Sequence, residues 1–160
     1  MEDTQEIIEE LTDADIIEST PIPVVYPIRK EGDGLPPRMI WGDEKGRYHR
    51  EGAPAVIFDN GDQEWYLHGL QHRTGGPAIE KADGHKEWGQ FGYLHRDDGP
   101  AIEYPNGEYK IWYKKGKKHR KDGPAIEYAD GRCEWWYDGE LVPVKDLAHF
   151  KKYIKLNAMW

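Results

Sequence analysis

Four histidines recur at a nearly fixed interval: His49, His72, His95 and His119, spaced 23, 23 and 24 residues apart and each followed by arginine. Such a series invites two chemistries, metal ligation and general acid–base catalysis. Metal ligation fails on distance. If each histidine belongs to a repeating unit of two paired strands, successive imidazoles lie about 9.5–10 Å apart. Ligands of one zinc ion must each lie about 2.0–2.3 Å from it. Nucleophilic catalysis requires a Ser or Cys beside the base. The one serine, Ser19, stands near the N-terminus, and the one cysteine, Cys133, sits inside the last unit, so neither makes a triad with a repeated histidine. Each glycine fits a turn, and none opens a phosphate-cradling loop into a helix. The expectation is therefore no catalytic residue, no metal and no cofactor. The histidines are read as structural, each bonded to the Asp-Gly-Pro turn beside it, with its arginine stacked on a tryptophan.

What positions these residues is a repeat, because other residues keep phase with the histidines. Five residues after each histidine stands Pro54, Pro77, Pro100 or Pro124, followed by alanine and then Val56, Ile79, Ile102 or Ile126. Twelve residues after each comes a glycine preceded by Asn or Asp: Asn60-Gly61, Asp83-Gly84, Asn106-Gly107 and Asp130-Gly131. Trp65, Trp88, Trp112 and Trp135 follow, and four residues beyond each stands a second glycine: Gly69, Gly92, Gly116 or Gly139. Each unit reads as one β-hairpin. Proline opens its first strand, where no ladder donor is required. The Asn-Gly or Asp-Gly pair predicts a type I′ turn, with both residues at positive φ. The second strand carries the tryptophan, and the second glycine returns the chain to the next His-Arg. Two strands per unit give about eight strands, and a partial unit from Arg38 to Gly46 adds one. Stacking brings the tryptophans into a ladder that no single unit buries alone.

The spacing Trp-x-x-x-Gly-x-x-His resembles the MORN repeat. The longer form, fullest at Trp112, Gly116, His119, Arg120, Asp122, Gly123, Pro124 and Ala125, is similar to a repeat variant common in bacteriophage proteins. Earlier units depart from it: Gly52 and Gly75 replace the Asp, and Ala53 replaces the following Gly in the first. The resemblance spans about residues 38–142. It implies an all-β fold, a single-layer antiparallel meander of tandem 23–24-residue β-hairpin repeats, MORN-like, to which the flanking sequences add a short C-terminal helix and a flexible N-terminus. It also implies a non-catalytic protein-binding module. The phage variant sharpens this to a phage-encoded inhibitor of a host defence or nucleic-acid-processing complex. Two alternatives stay open: a nucleic-acid-binding or DNA-mimic protein, and an antitoxin- or scaffold-like structural module.

The flanks differ in kind from the repeats. The net charge of −8 is that of residues 1–20, which carry Glu2, Asp3, Glu6, Glu9, Glu10, Asp13, Asp15 and Glu18 and no Lys or Arg. Ile7, Ile8, Leu11, Ile16 and Ile17 lie among these acids. Such a composition suits either a solubilising tail or a motif that orders on binding. In the second case Ile7, Ile8, Leu11, Glu9, Glu10 and Asp13 are the candidate contacts to a basic groove of a host protein or complex. Residues 21–37 hold five prolines and read as a linker between the tail and a repeat domain over 38–142. In the remainder, 143–160, Asp146 N-caps a helix with Leu147, Phe150, Tyr153 and Ile154 on one face, expected to cap the last hairpin. Lys151, Lys152 and Lys155 stand on its other face. Lys114, Lys115, Lys117 and Lys118 form a secondary basic patch, although the repeat body is not net basic, as phosphate binding would favour. No run of about 18 apolar residues and no basic leader appears. The single cysteine rules out an internal disulfide. A cytoplasmic protein without membrane contact is expected, in the host cytoplasm if phage-encoded.

Overall fold

The computed structural model describes residues 28–157. It opens with a hairpin of β1 (Ile28–Lys30) and β2 (Arg38–Ile40). Each repeat then contributes four short strands in a constant order. The first has β3 (Val56–Phe58), β4 (Gln63–Glu64), β5 (Tyr66–Leu67) and β6 (Leu70–Gln71). The second has β7 (Ile79–Glu80), β8 (Lys86–Glu87), β9 (Gly89–Gln90) and β10 (Tyr93–Leu94). The third has β11 (Ile102–Glu103), β12 (Tyr109–Ile111), β13 (Tyr113–Lys114) and β14 (Lys117–Lys118). The fourth has β15 (Ile126–Tyr128), β16 (Cys133–Glu134), β17 (Trp136–Tyr137) and β18 (Glu140–Leu141). A helix, α1 (Leu147–Asn157), follows.

The leading strands of every repeat join β1 and β2 in one ten-stranded antiparallel sheet, ordered β1-β2-β3-β4-β7-β8-β11-β12-β15-β16. The trailing strands pair as four small hairpins. The all-β meander of tandem hairpins is thus present, but each unit contains two hairpins where one was expected. The tryptophan is the reason. Its N–H donates into the sheet, to the alanine carbonyl of the next repeat (Trp65 to Ala78, 2.8 Å), and its carbonyl accepts from the following histidine N–H (His72, 3.1 Å). One residue therefore closes the long strand and opens the small hairpin. Successive small hairpins are bonded in turn: the N–H of Gly92, Gly116 and Gly139 donates to the carbonyl of Gln71, Leu94 and Lys118.

Turn geometry exchanges the expected roles of the two glycines. The type I′ turns are those at the second glycine, where His68-Gly69, Phe91-Gly92, Lys115-Gly116 and Asp138-Gly139 all have positive φ. At Asn60-Gly61 the glycine alone has positive φ, at 94°. The Gly61 N–H donates to Phe58 O and the Phe58 N–H to Asp62 O. That is a three-residue loop ending in a glycine bulge, a different hairpin class from the two-residue turn. In the third repeat Tyr104 pairs with Tyr109 around four residues, including the 3₁₀ turn Pro105–Gly107. This insertion accounts for the spacing of 24 there.

The segment expected as a linker contributes structure at its end, since β1 pairs along β2 from Ile28↔Ile40 to Lys30↔Arg38. At the opposite end α1 caps the array as expected. Asp146 Oδ1 accepts from the His149 N–H at 2.9 Å. Trp135, Val142 and Phe150 form a buried cluster against which Tyr137, Val144, Leu147, Tyr153 and Ile154 pack. Elsewhere the core is thin. It is marked by one fully buried alanine per repeat, Ala55, Ala78, Ala101 and Ala125, whose small side chains leave room for the flanking tryptophans.

Candidate interaction surface

Each repeated arginine lies on the tryptophan of the preceding unit. Cζ of Arg50, Arg73, Arg96 and Arg120 stands 4.0, 3.8, 3.9 and 3.9 Å from the ring centroids of Trp41, Trp65, Trp88 and Trp112. Such pairs are attractive through the ring quadrupole. Arg73, Arg96 and Arg120 also donate to the carbonyls of Pro77, Pro100 and Pro124. Their ion pairs run to Glu80, Glu103 and Glu127 at 2.6, 2.8 and 2.6 Å. Arg96 and Arg120 add Asp98 and Asp122. Arg50 keeps the Pro54 bond, but Gly52 and Ile57 stand where its acids would be. The signature His-Arg-x-Asp-Gly-Pro-Ala is therefore a self-contained clamp on a tryptophan.

The histidines bond a different turn from the one expected. Nδ1 of His49, His95 and His119 accepts the backbone N–H of His68, Lys115 and Asp138, each at 3.1 Å, and His72 accepts that of Phe91 at 3.3 Å. Each donor is the first residue of the type I′ turn that follows. The adjacent Asp-Gly-Pro turn makes none of these bonds; His95 Nε2 lies 3.2 Å from Asp97, the residue before that turn. Burial lowers the pKa of His49 and His119, helped by His68 beside the first and Lys121 beside the second. Burial alone would raise the Asp43 carboxyl, but hydrogen bonds from Arg47 and His68 win and hold it below the usual range. Among the described residues no group of three or more His, Cys, Asp or Glu side chains is placed to hold a metal ion.

The sheet register reveals a strip that sequence reading did not single out. Val56↔Glu64, Glu64↔Ile79, Ile79↔Glu87, Ile102↔Ile111 and Ile111↔Ile126 fall in one row. Two residues further along each strand, the same face carries Phe58, Lys81, His85, Tyr104, Tyr109, Tyr128 and Arg132. Tyr104 and Tyr109 have ring centroids 4.0 Å apart, and Tyr109 and Tyr128 are 6.2 Å apart. Buried His85 meets Tyr104 edge-on at 4.2 Å, and Arg132 covers Tyr128 at 4.8 Å. All three tyrosines are half-buried. Burial pushes the Tyr109 phenol up to about 12, so it stays a neutral hydroxyl. The signal was present as a Tyr at the end of Pro-Ala-Ile-Glu-Tyr in two units, but its meaning depends on stacking.

The basic patch lies on one small hairpin. Lys114, Lys115 and Lys117 are exposed, whereas Lys118 is half-buried with its ammonium 4.3 Å from the Trp136 centroid. The tail candidates Ile7, Ile8, Glu9, Glu10, Leu11 and Asp13 lie outside the described residues. No helix of the described residues is long and apolar enough to cross a membrane.

Fold and surface together define a tandem β-hairpin repeat protein. No protein-family model matches the chain, and no curated protein or solved structure matches it.

Proposed function

We propose that this is a non-catalytic binding module whose partner is a protein. The observation that carries the reading is the half-buried strip of Tyr104, Tyr109 and Tyr128 on a regular sheet face. Tyrosine gives large contact area with few rotamers to fix and keeps a hydroxyl for the partner, which is why it is enriched at interface centres. The repeated His and Arg side chains support the same reading, since bonds within the fold already engage them. The resemblance to the phage-associated variant extends the reading to a phage-encoded inhibitor of a host defence or nucleic-acid-processing complex.

The test is affinity capture from host lysate with the full chain and with a Tyr104→Ala, Tyr109→Ala variant shown by melting to remain folded. A protein retained by the parent after nuclease treatment, and lost by the variant, supports the reading. Retention of nucleic acid that disappears with nuclease would favour the nucleic-acid-binding alternative, in which bases stack on the same rings.

A further inference from the structure

The body of the protein is electrically divided. Residues 28–109 hold 10 Lys and Arg against 15 Asp and Glu, and residues 110–157 hold 12 against 7, so the two parts carry −5 and +5. The positive part gathers at one end of the array. Lys114, Lys115 and Lys117 project from the third small hairpin, Lys121 from the loop after it, and Lys151, Lys152 and Lys155 from α1, all exposed. Packing brings these two groups to the same end of the array. The Tyr137 ring lies 4.8 Å from His119, which follows the lysine hairpin, and 6.5 Å from Phe150 of the helix. Lys151 is also near enough to Asp122 to help lower its pKa. Neutralisation is weak. Lys114 and Lys117 have acidic neighbours at 3.6 Å, on exposed Asp97 and Asp138.

We infer that this basic end is the docking surface for the acidic N-terminal segment of the same chain, residues 6–18. Charge complementarity selects the segment, since residues 1–20 carry −8 with no base. Its apolar residues also find counterparts at this end. Leu141 and Leu156 are 56 % and 57 % exposed at this end, within the same chain region as the lysines, and Ile7, Ile8 and Leu11 are of matching type. Reach permits the contact within one molecule. From β1 to β15 is eight inter-strand steps of about 4.8 Å, on the order of 38 Å. The seventeen residues from Leu11 to Ile28 span up to about 56 Å when extended. Tethering also gives the segment a high effective concentration that an external acidic ligand must overcome. The docked form keeps the tail and the basic end covered together, and a partner that takes either one exposes the other. This inference does not depend on the tyrosine strip.

The test uses the full chain with a nitroxide on Cys133, the single and exposed cysteine. Cys133 pairs with Glu127, which Arg120 ties to Asp122 beside Lys151, so the label lies toward the basic end. Relaxation enhancement is read on the amides of residues 6–18. Enhancement is expected near about 0.05 M salt and should be lost near about 1 M, where the screening length falls to roughly 3 Å. It should also be lost in Lys151→Glu, Lys152→Glu, Lys155→Glu, whose helix is verified by circular dichroism. Restoration by Glu6→Lys, Glu9→Lys, Glu10→Lys in that background would establish the pairing. Enhancement indifferent to salt and to the reversals overturns the proposal. So does enhancement that appears when a labelled chain is mixed with an isotope-labelled, nitroxide-free one, because the occupant would then be a second copy.

Discussion

The face of Trp112 and the face of Trp135 are the same slot filled in two ways. Over Trp112 lies the guanidinium of Arg120, held by Asp122, Glu127 and the Pro124 carbonyl. After Trp135 the phase of the repeat calls for His-Arg at 142 and 143, but Val142 and Pro143 stand there. The backbone nevertheless repeats: Val142 N–H donates to Trp135 O at 2.8 Å, as His119 N–H does to Trp112 O at 3.0 Å. Phe150 of α1 covers the ring instead, with centroids 4.9 Å apart. An interior ring is thus covered by a group anchored in the following repeat. The last ring has no following repeat, and the apolar face of a helix closes the array. Repeat proteins need such ends because each unit contacts its neighbours alone.

The largest effect follows from that contrast. Phe150 is fully buried, so Phe150→Ala should cost about 3–5 kcal/mol, the usual range for emptying a buried aromatic site. Arg120→Ala should cost less, about 0.5–2 kcal/mol, because it loses a cation–π contact and partly solvated ion pairs. Urea denaturation of both variants measures the difference. Equal losses would mean that the interior and terminal slots are energetically alike and that the helix is no special cap.

A smaller effect isolates the guanidinium without removing it. A Cβ on Gly123 would lie 2.7 Å from Arg120 Cζ, and one on Gly76 or Gly99 would lie 2.9 or 2.8 Å from that of Arg73 or Arg96. The first unit has Ala53 at this position, and there Arg50 lacks its acidic partners. Gly123→Ala should therefore shift the Arg120 guanidinium away from Asp122 and Glu127 while leaving it over Trp112, as Arg50 lies over Trp41 beside Ala53, at about 0.5–1 kcal/mol, with a change in the Trp112 ring shifts. Ala53→Gly should leave the Arg50–Trp41 pair in place and cost at most the backbone entropy of glycine, about 0.5–1 kcal/mol.

These contrasts also mark what the sequence makes legible. Arginine on tryptophan and the helix face of Leu147, Phe150, Tyr153 and Ile154 were readable, because both follow from spacing within a short window. The turn type at Asn60-Gly61 was not, since the dipeptide suits a type I′ turn and a glycine bulge alike. Loop length decides between them, and it appears once Phe58 is known to pair with Asp62. The partner of His49 was misplaced for a related reason. The accepting bond runs to the N–H of His68, 19 residues on, across the small hairpin that a two-strand unit lacks. Tyr104, Tyr109 and Tyr128 belong to different strands and become a strip through cross-strand register, which no single unit reveals.

The smallest effect is expected from pH, and it tests the other half of the same comparison, His119 against Val142. The Asp138 N–H points at His119 Nδ1, whereas nothing in the fold follows Val142 in the way the fourth small hairpin follows His119. His119 and His49 have folded pKa values below the ordinary 6.5, chiefly through burial. A depressed histidine pKa means that the unfolded chain takes the proton first, so protonation favours unfolding. The contribution of these bonds is complete above about pH 6.5 and declines as pH falls through that value toward the depressed folded pKa. The melting temperature should therefore drop between about pH 7.5 and about pH 5.5, before the carboxylates titrate. His119→Val copies the terminal residue into the interior slot. It should flatten this slope while lowering stability at neutral pH by about 0.5–1.5 kcal/mol, because the Asp138 N–H loses its acceptor. A variant as steep in pH as the parent would show that His119 is not the titrating group. One that loses no stability at neutral pH would show that valine serves an interior repeat as well as it serves the end.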